Sequence, residues 1–432
     1  MDYTNIFVII FLFGTFSDFI IDQAMEAGNF FYRRKHGTDV PAELEGLVEK
    51  EKLEKTVAYK NARYFLWIPR VIIKTLLSLF LVLSGFYALL YMLLWNWTEN
   101  FYLTVLLFFF ISSIPAAIID LPFALYREFK IEKDFGFSKM TLGMWIMDAI
   151  KELIVSLFLM VPLLCAAVFL LSHLSSWWWL LLGIFYLAFV FLASYIYPVL
   201  IAPLFNKFTP LEEGELKDAL VNLMQKCGFH AKSVFVMDAS KRSGHSNAYF
   251  TGLGKNKRIV LYDTLIQQLS VEEIVAVLAH ELGHYKHKHI LKKYCIMIPM
   301  VFVVLFVISL LIKNPSLYQG FGMMTSGLVI PEYFKFFGVF LIPIIFGDWL
   351  WVVSLISNAA SRHDEFQADA FSTELCGSGE PLISALIKLN KENLSELTPP
   401  KIYCIFNYDH PPLLERISAI RNPLKKGDKK DE

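Results

Sequence analysis

The sequence predicts a mostly α-helical membrane protein, because its composition, its long apolar runs and the placement of its basic residues all favour that fold class. Of its 432 residues, 56% are hydrophobic and 19% are charged, whereas soluble domains average about 45–50% and 25%. Such a composition excludes disordered, collagen-like and coiled-coil chains. Lys plus Arg and Asp plus Glu both total 40, so no charge excess indicates a nucleic-acid partner. The five scattered cysteines form no CxxC pair, which argues against a disulfide framework.

Seven apolar segments approach or reach the roughly 20 residues that a helix needs to cross the hydrocarbon core of a membrane. They lie at 5–21, 71–95, 101–119, 153–171, 177–200, 294–312 and 336–356. The first segment is short and carries Asp18, but it lacks the basic start of a signal peptide, so we interpret it as a span. So many runs of this length argue against the buried helices of a large soluble protein.

The basic residues indicate how these spans are oriented. The connections after spans 1, 3, 5 and 7 hold nine, five, thirteen and ten Lys and Arg residues, in 33–70, 127–151, 207–293 and 362–430. The positive-inside rule then places both large polar segments, and with them the carboxyl terminus, in the cytosol, where the two segments can form one site. The predicted divisions are five spans with their loops (1–200), a first polar segment (201–292), two more spans (293–357) and a second polar segment (358–432).

The first polar segment has the pattern of a small folded domain. Helical spacing of leucines predicts a helix at 211–227, and β-branched runs predict strands at 233–237 and 258–262, with a further short strand at 246–250. Ser270 and Glu273 have the spacing of a capping box, which predicts that a helix begins there and runs through His289.

The predicted helix after Ser270 carries the sequence His280-Glu281-Leu282-Gly283-His284. Two histidines four residues apart lie on one face of a helix, where both can bind one Zn²⁺ ion. Glu281 is placed to take a proton from a water on that ion, whose pKa zinc lowers from about 15.7 to near 7. The alternative interpretation is a solvated helix face with two incidental histidines, and the capped helix around the motif makes that the weaker one.

The second polar segment offers the third protein ligand that a catalytic zinc site needs. A helix predicted at 358–375 presents four polar residues on one stripe, at offsets of 0, 4, 7 and 11, namely Asn358, Arg362, Glu365 and Asp369. We interpret Glu365 as the third ligand and Asp369 as a residue that orients a ligand histidine. His287 and His289 compete with Glu365, but we interpret both as surface residues, because a third ligand from the same helix is poorly placed.

Several further runs, taken in order with the HExxH motif, resemble the CAAX prenyl protease 1 family. They are 121–123 leading to 135–137, 202–208, 246–250, 255–265, 280–284, 365–370 and 410–416. The resemblance covers nearly the whole chain, and only a short segment around 314–332 does not align. The HExxH motif alone is a weak signal, whereas the ordered set is highly specific.

This resemblance implies seven transmembrane helices that form a hollow barrel around a water-filled chamber, with a cytosolic zincin-type metalloprotease domain that contains a small β-sheet. It implies a zinc endopeptidase that removes the last three residues of farnesylated or geranylgeranylated C-a-a-X proteins by attack of a zinc-bound water. Prenylated proteins and the lipid bilayer are the implied partners. The implied location is the endoplasmic reticulum membrane, with the inner nuclear membrane as a second site.

By position, the resemblance also implies roles for eight residues, as metal ligands, as catalytic groups and as substrate-binding residues. They are His280, His284 and Glu365; Glu281, His410 and Arg416; and Asn247 and Ala248. Glu281 is the implied base, and His410 and Arg416 resemble groups that stabilise an oxyanion. Asn247 and Ala248 are implied to lie on an edge strand that pairs with the substrate backbone.

The last residues include Lys429 and Lys430, which lie four and three places from the carboxyl end on the predicted cytosolic side. This spacing fits a dilysine retrieval signal, which a receptor reads as an address. An ordinary solvated, charged tail fits it equally well from the residues alone. The family resemblance favours the signal, because it implies residence in the endoplasmic reticulum.

Three other functions fit parts of the pattern. A membrane quality-control metalloprotease would share HExxH and the third Glu, but such proteins typically have about four spans. An intramembrane protease would carry the motif inside a span, whereas the flanks at 272–273 and 286–289 are too polar for the bilayer centre. A carrier or scaffold with a structural zinc would bind the metal but keep its function in a Glu281→Gln variant.

Overall fold

The protein is described here from a computed structural model, which covers residues 2–174, 176–228, 233–251, 258–323 and 330–422. Positions 255–257 of the 255–265 run, and the terminal Lys429 and Lys430, lie outside the described residues. Helices dominate the part that is described. They are α1 (Ile6–His36), α2 (Lys50–Leu83), α3 (Phe86–Thr98), α4 (Phe101–Tyr126), α5 (Leu142–His173), α6 (Trp178–Ile196), α7 (Ala202–Phe205), α8 (Glu215–Lys226), α9 (Asp263–Gln268), α10 (Val271–Lys286), α11 (His289–Leu311), α12 (Pro315–Gly320), α13 (Glu332–Gly347), α14 (Leu350–Cys376), α15 (Glu380–Glu392), α16 (Lys401–Asn407) and α17 (Leu413–Arg421).

Six helices in the described residues are long and apolar enough to cross a membrane: α1, α2, α5, α11, α4 with its continuation to Glu132, and α6 with its continuation to Phe205. The pair α13 and α14 makes a seventh span if it is counted as one, although it is bent by 63°. Only 11–28% of the most apolar window of each of the six is buried inside the protein. Apolar surface this extensive needs lipid around it. The predicted fold class, a mostly α-helical membrane protein, is confirmed.

Two predicted spans differ from the structure in detail. The segment predicted at 71–95 is interrupted, because α2 ends at Leu83 and α3 begins at Phe86, after Gly85 turns the chain with a φ of 75°. Glycine adopts this left-handed conformation without steric cost. The segment predicted at 336–356 contains the bend between α13 and α14. Hydropathy does not reveal either break, since apolar residues continue on both sides.

The interior of the helical bundle is rich in aromatic side chains. Phe108 of α4 is fully buried, with its ring centroid 5.2 Å from that of Tyr91 on α3 and 4.7 Å from that of Phe340 on α13. The Tyr91 hydroxyl donates a hydrogen bond to the backbone carbonyl of Tyr333. Lipid tails remove most of the hydrophobic drive for helices to associate, so contacts and hydrogen bonds of this kind hold a membrane bundle together.

A four-stranded sheet forms in the polar segment between α6 and α10, in the order β1-β2-β4-β3. Its strands are β1 (Phe208–Pro210), β2 (Ser233–Met237), β3 (Ala248–Thr251) and β4 (Arg258–Tyr262). β2 and β4 pair in parallel, and β1 and β3 are antiparallel edge strands. The three predicted strands are confirmed, although the one predicted from 246 begins at Ala248. β1 escaped prediction because it has only three residues and ends in proline, which an edge strand tolerates.

Helix α10 begins where the sequence predicts. The Ser270 hydroxyl accepts a hydrogen bond from the backbone N–H of Glu273, whose carboxylate accepts one from the Ser270 N–H at 2.7 Å. The prediction of one helix through His289 is wrong. α10 ends at Lys286, and Lys288 takes a φ of 57° before α11 starts at His289. A left-handed residue of this kind commonly ends a helix and redirects the chain.

Helices α10 and α14 pack against each other over most of the length of α10. The helix predicted at 358–375 is confirmed, and α14 begins earlier, at Leu350. A Cβ added to Gly283 would lie 2.8 Å from Cα of Ala368, so this contact needs a glycine. Further along the pair, the Ser372 hydroxyl donates to the carbonyl of Ala276 at 2.7 Å. The two helices therefore approach closely enough for their side chains to form one site.

Candidate metal centre

The histidines of α10 and a glutamate of α14 converge on one point. His280, His284 and Glu365 each offer a ligand atom, and these atoms lie within 4.8 Å of one another. The two Nε2 atoms are 3.2 Å apart. The Glu365 carboxylate lies 3.4 Å from Nε2 of His280 and 3.2 Å from Nε2 of His284, each through a different oxygen. The turn of helix between the histidines and the close α10–α14 contact together produce this geometry.

This donor set fits a metal ion. Oε2 of Glu365 is buried and has no hydrogen-bond partner among the described residues, which is costly for a carboxylate oxygen unless a cation satisfies it. Two imidazole nitrogens and a carboxylate oxygen are a usual ligand set for a catalytic zinc. Burial alone would lower the pKa of His280, but the carboxylates of Asp369 and Glu365 raise it to about 9. The pocket thus strongly favours positive charge.

Behind His280 lies a buried ion pair. Nδ1 of His280 is 2.7 Å from Oδ1 of Asp369, and the guanidinium of Arg416 donates to both oxygens of Asp369, at 2.7 and 2.8 Å. A carboxylate on the outer nitrogen of a ligand histidine fixes the ring and leaves Nε2 for the metal. Arg416 is 91% buried in this position. The geometry therefore favours a supporting role for Arg416 over contact with an oxyanion.

Behind His284 lies a residue that sequence reasoning missed. His289 was predicted at the surface, yet it is almost completely buried and its Nδ1 lies 2.9 Å from Nδ1 of His284. Nε2 of His289 in turn lies 3.0 Å from Oε1 of Gln367. The surface prediction is wrong because the chain turns at Lys288 and brings the first residue of α11 back onto α10. His287, the other competitor, stays partly exposed.

The open side of the centre carries Glu281 and His410. Burial raises the pKa of the Glu281 carboxyl, and the neighbouring His280 and His284 oppose that rise. His410 approaches from the segment before α17, with Nε2 3.5 Å from Oε1 of Glu365 and Nδ1 2.8 Å from the Asp409 carboxylate. Its side chain is 57% exposed, so it can reach a bound molecule as well as the ligands.

The predicted polar stripe of α14 separates into two halves with different contacts. Glu365 and Asp369 face the metal centre. Asn358 donates to the carbonyl of Phe406 at 2.8 Å, and Arg362 donates to the carbonyls of Cys404 and Tyr408. These two residues therefore bind the backbone of α16 and of the segment that leads to His410, and we expect them to act on the centre through that segment.

The strand predicted to carry substrate lies at the edge of the sheet. β3 begins at Ala248, whose partner in β4 is Leu261. Asn247 precedes it, and its side-chain oxygen accepts a hydrogen bond from the N–H of Ala248 at 2.8 Å. β3 is the last strand in the sheet order, so among the described residues no strand pairs with its outer edge. A further strand can pair there.

A His-His-Glu cluster with an adjacent glutamate, carried beside a multi-pass helical bundle, defines a membrane metallopeptidase. Comparisons with known proteins agree. Residues 30–207 match the family described as CAAX prenyl protease N-terminal, five membrane helices, and residues 210–424 match Peptidase family M48. The chain belongs to the CAAX prenyl protease 1 family within Peptidase family M48, and the resemblance found in the sequence is confirmed.

Relatives from plants, fungi and animals support this assignment. The CAAX prenyl protease 1 homolog of Arabidopsis thaliana is 39% identical over 90% of this chain and 92% of its own length. CAAX prenyl protease 1 of Saccharomyces cerevisiae is 37% identical over 73% and 71%, and the homolog of Homo sapiens is 32% identical over 90% of each. The crystal structure of S. mikatae Ste24p superposes with a TM-score of 0.88 at 32% identity, over 95% of this chain and 98% of that one.

Proposed function

We propose that the protein is a zinc endopeptidase that removes the last three residues of farnesylated or geranylgeranylated C-a-a-X proteins. The observation that carries this proposal is the buried cluster of His280, His284 and Glu365 beside Glu281. The relatives named CAAX prenyl protease 1 support the substrate class. The prediction of no nucleic-acid partner and the four predicted divisions of the chain remain predictions.

The zinc would be held by His280, His284 and Glu365. When bound, zinc supplies a Lewis acid that polarises a carbonyl and makes water acidic enough to attack it. Glu281 takes the proton of the attacking water and returns it to the leaving amine. Because burial raises its pKa, its carboxylate is a stronger base than a free glutamate, which suits general-base catalysis near neutral pH.

His410 is the candidate for stabilising the oxyanion. Its ring is exposed on the open side, and the Asp409 carboxylate contacts Nδ1, which leaves Nε2 directed towards the centre. A donor aimed at the developing charge contributes strongly to acyl-transfer reactions. Arg416 and Asp369 instead hold the His280 ring, and we assign them the role of positioning residues.

The substrate backbone would pair with the open side of β3, next to Asn247 and Ala248. A prenyl chain must also be accommodated, and each CH₂ group exposed to water costs about 0.8 kcal/mol. A bundle of apolar helices within the lipid bilayer offers a place where that cost is avoided. Prenylated proteins and the bilayer are thus the proposed partners.

We further propose that the protein resides in the endoplasmic reticulum membrane and the inner nuclear membrane, with the metal centre and carboxyl terminus in the cytosol. Support comes from the distribution of Lys and Arg and from Lys429 and Lys430. Replacing both lysines with Ser should let a tagged protein reach the Golgi with unchanged activity. Unchanged reticular localisation would show that another feature retains it.

One experiment tests the function directly. Purified protein is incubated with a farnesylated C-a-a-X peptide, alone, with a zinc chelator, and with zinc restored after chelation. We expect release of the terminal tripeptide, its loss on chelation, and its recovery with zinc. The Glu281→Gln variant should contain zinc without cleaving. Cleavage by that variant, or no tripeptide from the wild type, would contradict the proposal, and full zinc without any cleavage would favour a carrier or scaffold.

A further inference from the structure

A second polar site includes Tyr403 and Tyr408, on the segment that leads to His410. It is a cavity of about 380 Å³ where α1, α2 and α4 meet α16. Five cationic side chains line it, namely Arg33, Lys60, Arg63, Arg70 and Arg127, against three acidic ones. A cavity of this size falls within the usual range for small-ligand sites, about 300–1,000 Å³.

The three acidic residues of the cavity already have partners. Glu396 is paired with Arg33, and Glu26 accepts a hydrogen bond from the hydroxyl of Tyr403 at 2.7 Å. Asp120 is similarly paired with Arg70, at 2.8 Å. The acids are therefore satisfied, and the cavity retains a surplus of positive charge.

The excess positive charge of the cavity can be assigned to particular side chains. Lys60 and Arg127 form no side-chain hydrogen bond or ion pair with any described residue. Arg63 donates a hydrogen bond to the Tyr59 hydroxyl at 3.3 Å, and both Arg63 and Lys60 lie over the Tyr59 ring, 5.6 and 6.0 Å from its centroid. In addition, Nη2 of Arg33 is buried and has no partner among the described residues. A buried guanidinium nitrogen without an acceptor is costly. An anion in this cavity would satisfy these donors.

Two lining residues connect the cavity with the active site. Tyr408 lines it and lies two residues before His410, so their Cα atoms are at most about 7 Å apart. Arg127 lines it too, and also lines a neighbouring cavity of about 290 Å³ together with His245. His245 lies two residues before Asn247, at the start of β3.

The direction of β3 indicates which end of a substrate would reach the cavity. A peptide that pairs antiparallel with an edge strand has its carboxyl end beside the amino end of that strand, and here that is the side of Asn247 and His245. Three extended residues span about 10 Å. The carboxylate of a C-a-a-X peptide whose scissile bond lies at the metal centre would therefore lie about that far from the metal, on the His245 side of the site.

We propose that this cavity binds the free α-carboxylate of the C-terminal tripeptide, with Arg127, Lys60 and Arg63 as its cationic groups. The inference rests on the proposed function and deepens it. Charge-assisted hydrogen bonds from Arg and Lys are among the strongest that recognise a carboxylate. Binding the chain end at a fixed distance from the metal would make an endopeptidase cut three residues from the carboxyl terminus.

The test compares two farnesylated C-a-a-X peptides that differ only in ending as a free acid or as an amide. The ratio of kcat/KM for acid over amide should be well above one in the wild type. It should fall by about 10- to 100-fold in Arg127→Gln and in Lys60→Gln, as for the loss of one charge-assisted hydrogen bond. Arg127→Lys should restore part of the ratio, because it keeps the charge. Turnover of the amide shows that a variant is folded.

The matched control is Lys55→Gln, an exposed lysine on the same helix α2 that does not line the cavity, and it should keep the wild-type ratio. Binding measured without turnover, in a Glu281→Gln background, should show the same preference for the acid. Equal cleavage of acid and amide by the wild type would overturn this inference while leaving the proposed function standing. So would cavity variants that weaken both peptides equally, as expected if the cations bind a lipid phosphate. Cleavage of neither peptide would instead contradict the proposed function.

Discussion

The two sides of the metal centre differ sharply in exposure and in the kind of residue they present. On the inner side, Glu365, Asp369, His280 and Arg416 are each at most 9% exposed and bind one another. On the outer side, His410 is 57% exposed and the edge of β3 is open. Rigid, dehydrated groups suit the task of holding an ion, whereas accessible groups can meet a substrate. Changes on the inner side should therefore remove metal, and changes on the outer side should remove turnover alone.

The largest effect should follow from Glu365→Ala on the inner side. Losing one of three ligands should abolish both metal binding and activity. Metal content measured by mass spectrometry, together with peptide cleavage, checks this expectation. Glu374→Ala, an exposed position on the same helix, is the control and should keep both. If Glu365→Ala keeps its full zinc content, Glu365 is not the third ligand, and His363 or His410 becomes the candidate for that role.

Glu281→Gln should separate the two sides most clearly. It removes the base but no ligand, so kcat should fall by about 10²- to 10⁴-fold while metal content stays at the wild-type level. Glu272→Gln, an exposed change near the start of the same helix, serves as the control. If Glu281→Gln retains more than about a tenth of wild-type kcat, Glu281 is not the general base.

His410→Ala should give the next effect. Removing one donor to an oxyanion typically lowers kcat by about 10²- to 10³-fold, and the metal should remain because His410 belongs to the outer side. Steady-state kinetics and metal analysis on the same preparation measure both quantities. Loss of zinc would show that the exposed His410 ring is a metal ligand. His410 would then belong with the residues that hold the metal and not with those that meet the substrate.

The smallest effects should distinguish the two residues that lie behind the ligand histidines, Asp369 behind His280 and His289 behind His284. Asp369→Ala and His289→Ala should each weaken metal affinity by about 10- to 100-fold, measured by competition with a chelator. Asp369→Ala should also lower the free energy of unfolding by about 3–5 kcal/mol, because it removes the hydrogen-bonded counterion of the buried Arg416 and leaves only the Glu365 carboxylate, 3.6 Å away. His289→Ala removes a neutral partner and should lack that penalty. His287→Ala is the control. If it lowers metal affinity as much as His289→Ala does, the contact between His289 and His284 does not support the metal site.

Much of the active-site scaffold was predictable because it depends on short patterns. The capping box at Ser270 and Glu273, the strands at 233–237 and 258–262, and the stripe that includes Glu365 each follow from spacing within one element. A helix has a fixed period, so residues four or seven apart share a face whatever surrounds them. To predict that His280 and Glu365 lie together, one further assumption is enough, namely that their two helices pack side by side.

What could not be predicted depends on where the chain turns. The break at Gly85 and the bend between α13 and α14 lie within continuous apolar sequence, where hydropathy stays high. The burial of His289 depends on one left-handed residue, Lys288, which no local preference favours. The different contacts of Arg362 and Glu365, three positions apart, follow from which neighbouring segment each one meets.

The contact at Gly283 also decides how the two parts of the ligand set meet. Since α10 supplies two ligands and α14 the third, the spacing of these helices sets the distance between the histidine nitrogens and the Glu365 carboxylate. A methyl group at Gly283 would lie 2.8 Å from Cα of Ala368, closer than real Cβ atoms pack, so the two helices would have to separate. The missing side chain therefore supports metal binding without contacting the ion, and Gly283→Ala should lower metal affinity, measured by competition with a chelator, although it removes no ligand.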